Sequence, residues 1–114
     1  MRLPELLHKQ ATQLLDKFCR ERVPCKRYQG LKLNFSIIDT HVTLFEEYLD
    51  PLSSEQWLRN PIARFTYVTD PNQWVLYSID RQQRWHIYQS IKPSLNLTRL
   101  IRALDEDPTG AFWA

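Results

Sequence analysis

The stretch Trp74-Val75-Leu76-Tyr77-Ser78-Ile79-Asp80-Arg81-Gln82-Gln83-Arg84-Trp85-His86-Ile87-Tyr88 decides the fold class of this chain. Two runs rich in aromatic and β-branched residues flank Asp80 to Gln83, a polar break of hairpin length, and the pattern predicts two antiparallel strands. Successive side chains of a strand point to opposite faces, so Trp74 and Leu76 share one side while Val75, Tyr77 and Ile79 share the other. Both sides are apolar, and each needs a cover: helices, a tail of the chain, or a partner. The same block sets Trp74, Tyr77, Trp85, His86 and Tyr88 beside Arg81 and Arg84. That mixture fits a sheet core, a partner surface or a base-stacking platform.

Upstream, Ala63, Phe65 and Tyr67 alternate with Arg64 and Thr66 to give another strand, stopped by Asp70-Pro71-Asn72. Leu31, Leu33, Phe35 and Ile37 alternate with Lys32, Asn34 and Ser36, and after an Asp39-Thr40 turn the two-residue period resumes through Val42 and Leu44. Pro51 to Asn60 reads as a loop, with one helical turn started by Ser53 or Ser54 that carries Trp57 and Leu58 inward. Leu3, Leu7, Ala11, Leu14, Leu15 and Phe18 fall on one face of a helix that Pro24 ends. Leu97, Leu100, Ile101 and Leu104 make a second helix, with Ser94 or Asn96 as its cap. Asp107-Pro108-Thr109-Gly110 breaks that helix, and the terminal Phe112 and Trp113 are expected to fold back onto the domain. The predicted fold is an α+β domain spanning residues 1–114, of order α-β-β-β-β-β-α: an antiparallel meander packed by an N-terminal and a C-terminal helix.

A chain of 114 residues can bury roughly two-thirds of its unfolded surface in one domain. Its 43% hydrophobic and 25% charged residues are ordinary globular values. No apolar run approaches the roughly 18 residues a membrane span requires, and the first residues lack a secretory segment, so a cytoplasmic protein with no membrane partner is expected. Cys19 and Cys25 are too few for a disulfide framework or a thiolate zinc site and read as free. The net charge of +2 hides segregation along the chain. Lys17, Arg20, Arg22, Lys26, Arg27 and Lys32 stand against Glu21 alone, whereas Asp39, Glu46, Glu47, Asp50 and Glu55 occupy a stretch without Lys or Arg. The acidic stretch is expected to neutralise the basic one; a basic face open to phosphate is the alternative.

Several blocks together carry a resemblance. They are Val42-Thr43-Leu44-Phe45-Glu46, Trp57 with Pro61 to Tyr67, the Trp74 to Tyr88 block, and Asp105 to Trp113. In these the chain resembles a family of small stand-alone bacterial proteins known as domain of unknown function 3024, over nearly its whole length. The resemblance implies a bacterial, single-domain protein and implies no activity. Ser78, where the family more usually has an aromatic, and Gln82-Gln83, where it has a tighter turn, depart from the pattern.

With glycines only at 30 and 110 there is no phosphate loop, and no His-Glu-x-x-His or paired-cysteine spacing occurs, which excludes nucleotide-fold and metalloprotease chemistry. No cofactor and no metal are expected, and His8 reads as a solvated residue of the helix's polar face. His86, with Arg84 and Asp80 nearby, could form a general base with a charged stabiliser, as in small metal-independent nucleases; Asp39 with His41 is a second such pair. Hairpin residues of these types more commonly make cross-strand bonds. Three functions are therefore carried forward. The first is a non-enzymatic interaction or dimerisation module using aromatic sheet surface, with a protein partner or second copy. The second is RNA or single-stranded nucleic-acid binding through Arg81, Arg84, Trp85, His86 and Tyr88, with Lys26 and Arg27 of the 17–32 basic segment as a second patch. The third is a toxin-like nuclease.

Overall fold

The computed structural model describes residues 2–22 and 31–113. In chain order they form α1 (Glu5–Arg22), β1 (Leu31–Ile38), β2 (His41–Asp50), β3 (Ser53–Val68), β4 (Gln73–Ile79), β5 (Trp85–Ile87) and α2 (Leu97–Glu106). The strands make one five-stranded antiparallel sheet in the order β1-β2-β3-β4-β5. The meander with a helix at each end is the predicted architecture.

Pairing registers explain where the core lies. On one side of the sheet Ile37, Val42, Phe65 and Leu76 line up across four strands, flanked by Phe35, Leu44, Ala63, Tyr67 and Trp74. Ala11, Leu15 and Cys19 of α1, four residues apart and so stacked on one helix face, join Leu97, Leu100 and Leu104 of α2 in the same buried cluster. Both helices thus cover the same side of the sheet. Fully burying side chains of this size contributes roughly 1.5–3 kcal/mol each.

The ends of α2 follow local chemistry. Asn96 caps it, its side-chain oxygen accepting from the Thr98 amide at 3.1 Å, which satisfies one of the donors a helix start leaves unpaired. At the other end Asp107 takes the left-handed conformation with φ 43° and donates its amide to the Ala103 carbonyl. Its carboxylate then accepts from the amides of Phe112 and Trp113. The tail folds back as expected: the Trp113 indole donates to the Leu104 carbonyl at 2.8 Å and packs on Phe18, while Phe112 lies 4.8 Å from Tyr88. Arg22, ion-paired to Asp105, covers the Trp113 ring at 4.3 Å and so joins both helix ends to the tail.

One expectation is overturned. Pro51 to Asn60 is not a loop with a helical turn; only Pro51 and Leu52 turn, and β3 runs for 16 residues from Ser53. Trp57 does not point inward and keeps 41% of its surface exposed. The segment has no clear two-residue period of its own, and its strand form comes from non-local pairing: Asn60, Arg59, Leu58 and Trp57 oppose Glu46, Glu47, Tyr48 and Leu49 of β2. Such pairing overrides weak local preference. Pro61 is tolerated because it sits at a β-bulge opposite Phe45, before the first β4-paired residue, Ala63.

Two outcomes are expected. Deleting residues 112–114 should lower unfolding stability by about 3 kcal/mol in urea titrations, the scale of losing one large aromatic from a core; an unchanged midpoint would mean the tail contributes nothing. Burial, helped by the Asp16 charge, pushes the Cys19 thiol up to about 12. In a Cys25→Ser protein, native Cys19 should therefore resist Ellman's reagent at neutral pH and react only on unfolding. Rapid native labelling would contradict its burial.

Candidate binding surface on the open face of the sheet

Strand alternation sends the other half of the sheet's side chains to the side away from both helices. Reading across the register, Lys32, Glu47 and Arg59 form one row, Ser36, Thr43, Arg64, Tyr77 and Ile87 a second, and Ile38, His41, Thr66 and Val75 a third. Phe45, Leu49, Trp57, Ile79 and Trp85 lie between or beside these rows on the same face. Among the described residues no helix covers it.

Long cationic side chains lie over its rings instead. Lys32 Nζ sits 4.4 Å from the Trp57 ring centre, the Arg59 guanidinium 4.4 Å from Phe45, and the Arg64 guanidinium 4.4 Å from Trp85. Phe45 is only 5% exposed, yet it lies outside the main buried cluster; the side chains of its own face bury it. Glu47, 8% exposed, accepts from the Asn34 amide at 3.1 Å and lies 3.5 Å from Arg59 Nε. Its charge is matched before any ligand arrives. Arg64 Nε donates to Thr43 Oγ1 at 3.2 Å, and the His41 ring bonds Thr66 Oγ1 through Nδ1 at 2.9 Å. The surface is cationic at its tips and aromatic beneath.

The β4–β5 hairpin tip has a different arrangement. Asp80 accepts from the Gln82 amide at 2.8 Å, the Arg84 amide at 2.9 Å and His86 Nε2 at 2.7 Å, with Arg84 Nε at 3.9 Å. The Arg84 amide, then His86, hold this carboxyl below its ordinary range. Gln83 adopts φ 64° in the turn, so the Asp80 bonds stabilise a backbone most non-glycine residues disfavour. His86 and Arg84 are largely exposed. Neither lines the shallow cleft of about 750 Å³ that Ile79, Asp80, Arg81 and Gln83 share with Gly110 to Trp113. Asp39 and His41 do not form a pair: Asp39 occupies a left-handed turn with its carbonyl accepting from Leu3, and the His41 ring turns to Thr66.

The predicted site residues are therefore divided among several places. Trp85 belongs to the open face. His86 projects from the opposite side of β5, and Tyr88 is buried against Phe112 with its hydroxyl 3.1 Å from Thr109 Oγ1. Arg81 and Arg84 stand at the exposed tip, and Lys26 and Arg27 lie outside the described residues. Sequence reasoning missed Lys32, Phe45, Trp57, Arg59 and Arg64 as one surface. For Lys32 and Arg64 the signal was present, as outward positions of alternating strands; for Trp57 and Arg59 it was not, because their strand is specified by β2.

Among the described residues no group of three or more His, Cys, Asp or Glu is placed to hold a metal ion, and no helix is long and apolar enough to cross a membrane. What the fold defines is a small α+β domain whose antiparallel sheet has one helix-covered and one open face. The chain belongs to the family described as domain of unknown function (DUF3024), which matches residues 3–114. No curated protein and no solved structure gives a significant match.

The acidic limb of stability should report Asp80. A carboxyl lowered from its ordinary value of 3.8 adds stability that is complete above the unfolded value and is lost as pH falls through the lower folded value. The melting-temperature gap between the wild type and Asp80→Asn is expected to be widest near neutrality and to close in strong acid; a gap independent of pH would show that the charge on Asp80 does not matter.

Proposed function

We propose that this chain is a cytoplasmic, non-enzymatic binding module whose working surface is the open face of its sheet. The observation that carries this reading is the one-sided cover: two helices and the tail share one face, while on the other, among the described residues, Trp57 and Trp85 lie beneath Lys32 and Arg64 with no helix over them. Exposed cation–aromatic contacts are worth about 0.5–1 kcal/mol each, so a partner can displace them at small cost and gain the rings. The buried Cys19 thiol suits a reducing compartment. A nuclease reading has less support, because Asp80 is engaged by two backbone amides of its own turn.

A photoreactive benzoylphenylalanine placed at Trp57 or Ile38 in cells should give adducts, whereas one at Arg99, on the exposed side of α2, should not. Equal adducts at all three positions, or none at any, would overturn the proposal.

A further inference from the structure

We infer that the occupant of the open face is a single-stranded nucleic acid, with bases stacked on Trp57 and Trp85 and phosphates held by Lys32, Arg59 and Arg64. This rests on the binding-module reading above and names its partner.

Charge narrows the choice first. The register brings Lys32, Arg59 and Arg64 to this face, and the acid it places among them, Glu47, is buried and bonded to Asn34 and Arg59. The net charge presented to a partner is positive, with the exposed Glu55 two residues before Trp57 at one end. A second copy of the chain docked face to face would bring two such sets of cations together with Glu55 as the exposed acid beside Trp57 to offset them, and like charges across an interface cost several kcal/mol. The occupant is therefore an anion.

Shape and ring chemistry narrow it further. Each cation already lies 4.4 Å from an aromatic centre, so a planar group that stacks on the ring turns the cation outward, toward whatever charge the planar group carries. Alternating rings and cations suit a polyanion with flat, accessible bases. A duplex hides its base faces, whereas a single strand can splay them. From Trp57 to Trp85 is about five residues along β3 and two strand spacings across, roughly 19 Å. Phe45, on β2, lies off this path and stays buried under Arg59. A path of this length suits about four nucleotides, the lower end of what one small β-domain engages.

The test uses the full chain and labelled twelve-nucleotide oligouridine, oligothymidine and a twelve-base-pair DNA duplex in fluorescence anisotropy. Single strands should bind, and three phosphate contacts predict a roughly 20-fold loss of affinity between 50 and 200 mM salt. Trp57→Ala should weaken binding about fivefold or more, with Trp57→Phe restoring most of it, since stacking tolerates ring type. Lys32→Gln with Arg64→Gln should flatten the salt dependence, while Arg81→Ala with Arg84→Ala at the hairpin tip should leave binding within about twofold. Thermal melts confirm that each variant folds. The two oligonucleotides separate RNA from DNA preference. Absence of salt-sensitive binding, a duplex bound as tightly as the strands, or loss only in the hairpin-tip variant would each overturn the inference. Trp57 photo-adducts that resist nuclease and contain protein would overturn it while leaving the binding module standing; absence of adducts at the face removes both.

Discussion

A strand that is apolar on both sides puts a demand on everything around it, and two helices of 18 and 10 residues answer that demand on one side only. Trp74 and Leu76 of β4 go to the helix side and disappear into the main core, while Val75 and Tyr77 are left on a face with no helix among the described residues. The one-sided cover decides the rest: where the core is dense, where the tail can dock, and where long cations must bridge exposed rings. An antiparallel sheet can face water on one side, but usually does so with polar residues. Here Phe45, Trp57 and Trp85 stand on the wet side, each beneath a cation.

The bulge at Phe45 and Pro61 is the second organising feature. It adds one residue to β3, so that Ile62 enters the main core while Phe45 remains on the open face. It also coincides with the end of β4 pairing, since the last β3–β4 pair is Ala63 with Ser78. Beyond it β3 continues against β2 alone and carries Arg59 and Trp57 outward. An inserted residue thus separates a two-sided central sheet from a long hairpin arm, in keeping with the bends that bulges introduce.

Carboxylates that look chemical in the sequence act as backbone supports. Asp80 ties the β4–β5 turn through two amides and His86, and Asp107 closes α2 and anchors two tail amides. Asp39, Asp70 and Asp107 all adopt positive φ. In a chain with only two glycines, short acidic side chains take the left-handed positions glycine would otherwise hold. A neighbouring histidine or arginine is then a consequence of hairpin geometry and does not by itself indicate a catalytic pair.

The order of elements, both helices, a cap at Ser94 or Asn96, the Trp74 to Tyr88 hairpin and the turn that sends the tail back were legible in the sequence, because each depends on contacts a few residues apart: a 3.6-residue stripe, a two-residue alternation, a proline or a capping amide. The face of β4 that the helices would cover was not legible, since Trp74 and Leu76 on one side and Val75 and Tyr77 on the other are equally apolar. Nor was the strand at Ser53 to Asn60, whose form comes from β2 and not from its own pattern. Lys32 lies on β1, and Arg59 and Arg64 lie on β3 on either side of its bulge; each meets a ring from another strand. Only the sheet register brings them onto one surface, because pairing between distant segments, unlike helical or strand periodicity, is set by the whole packed structure.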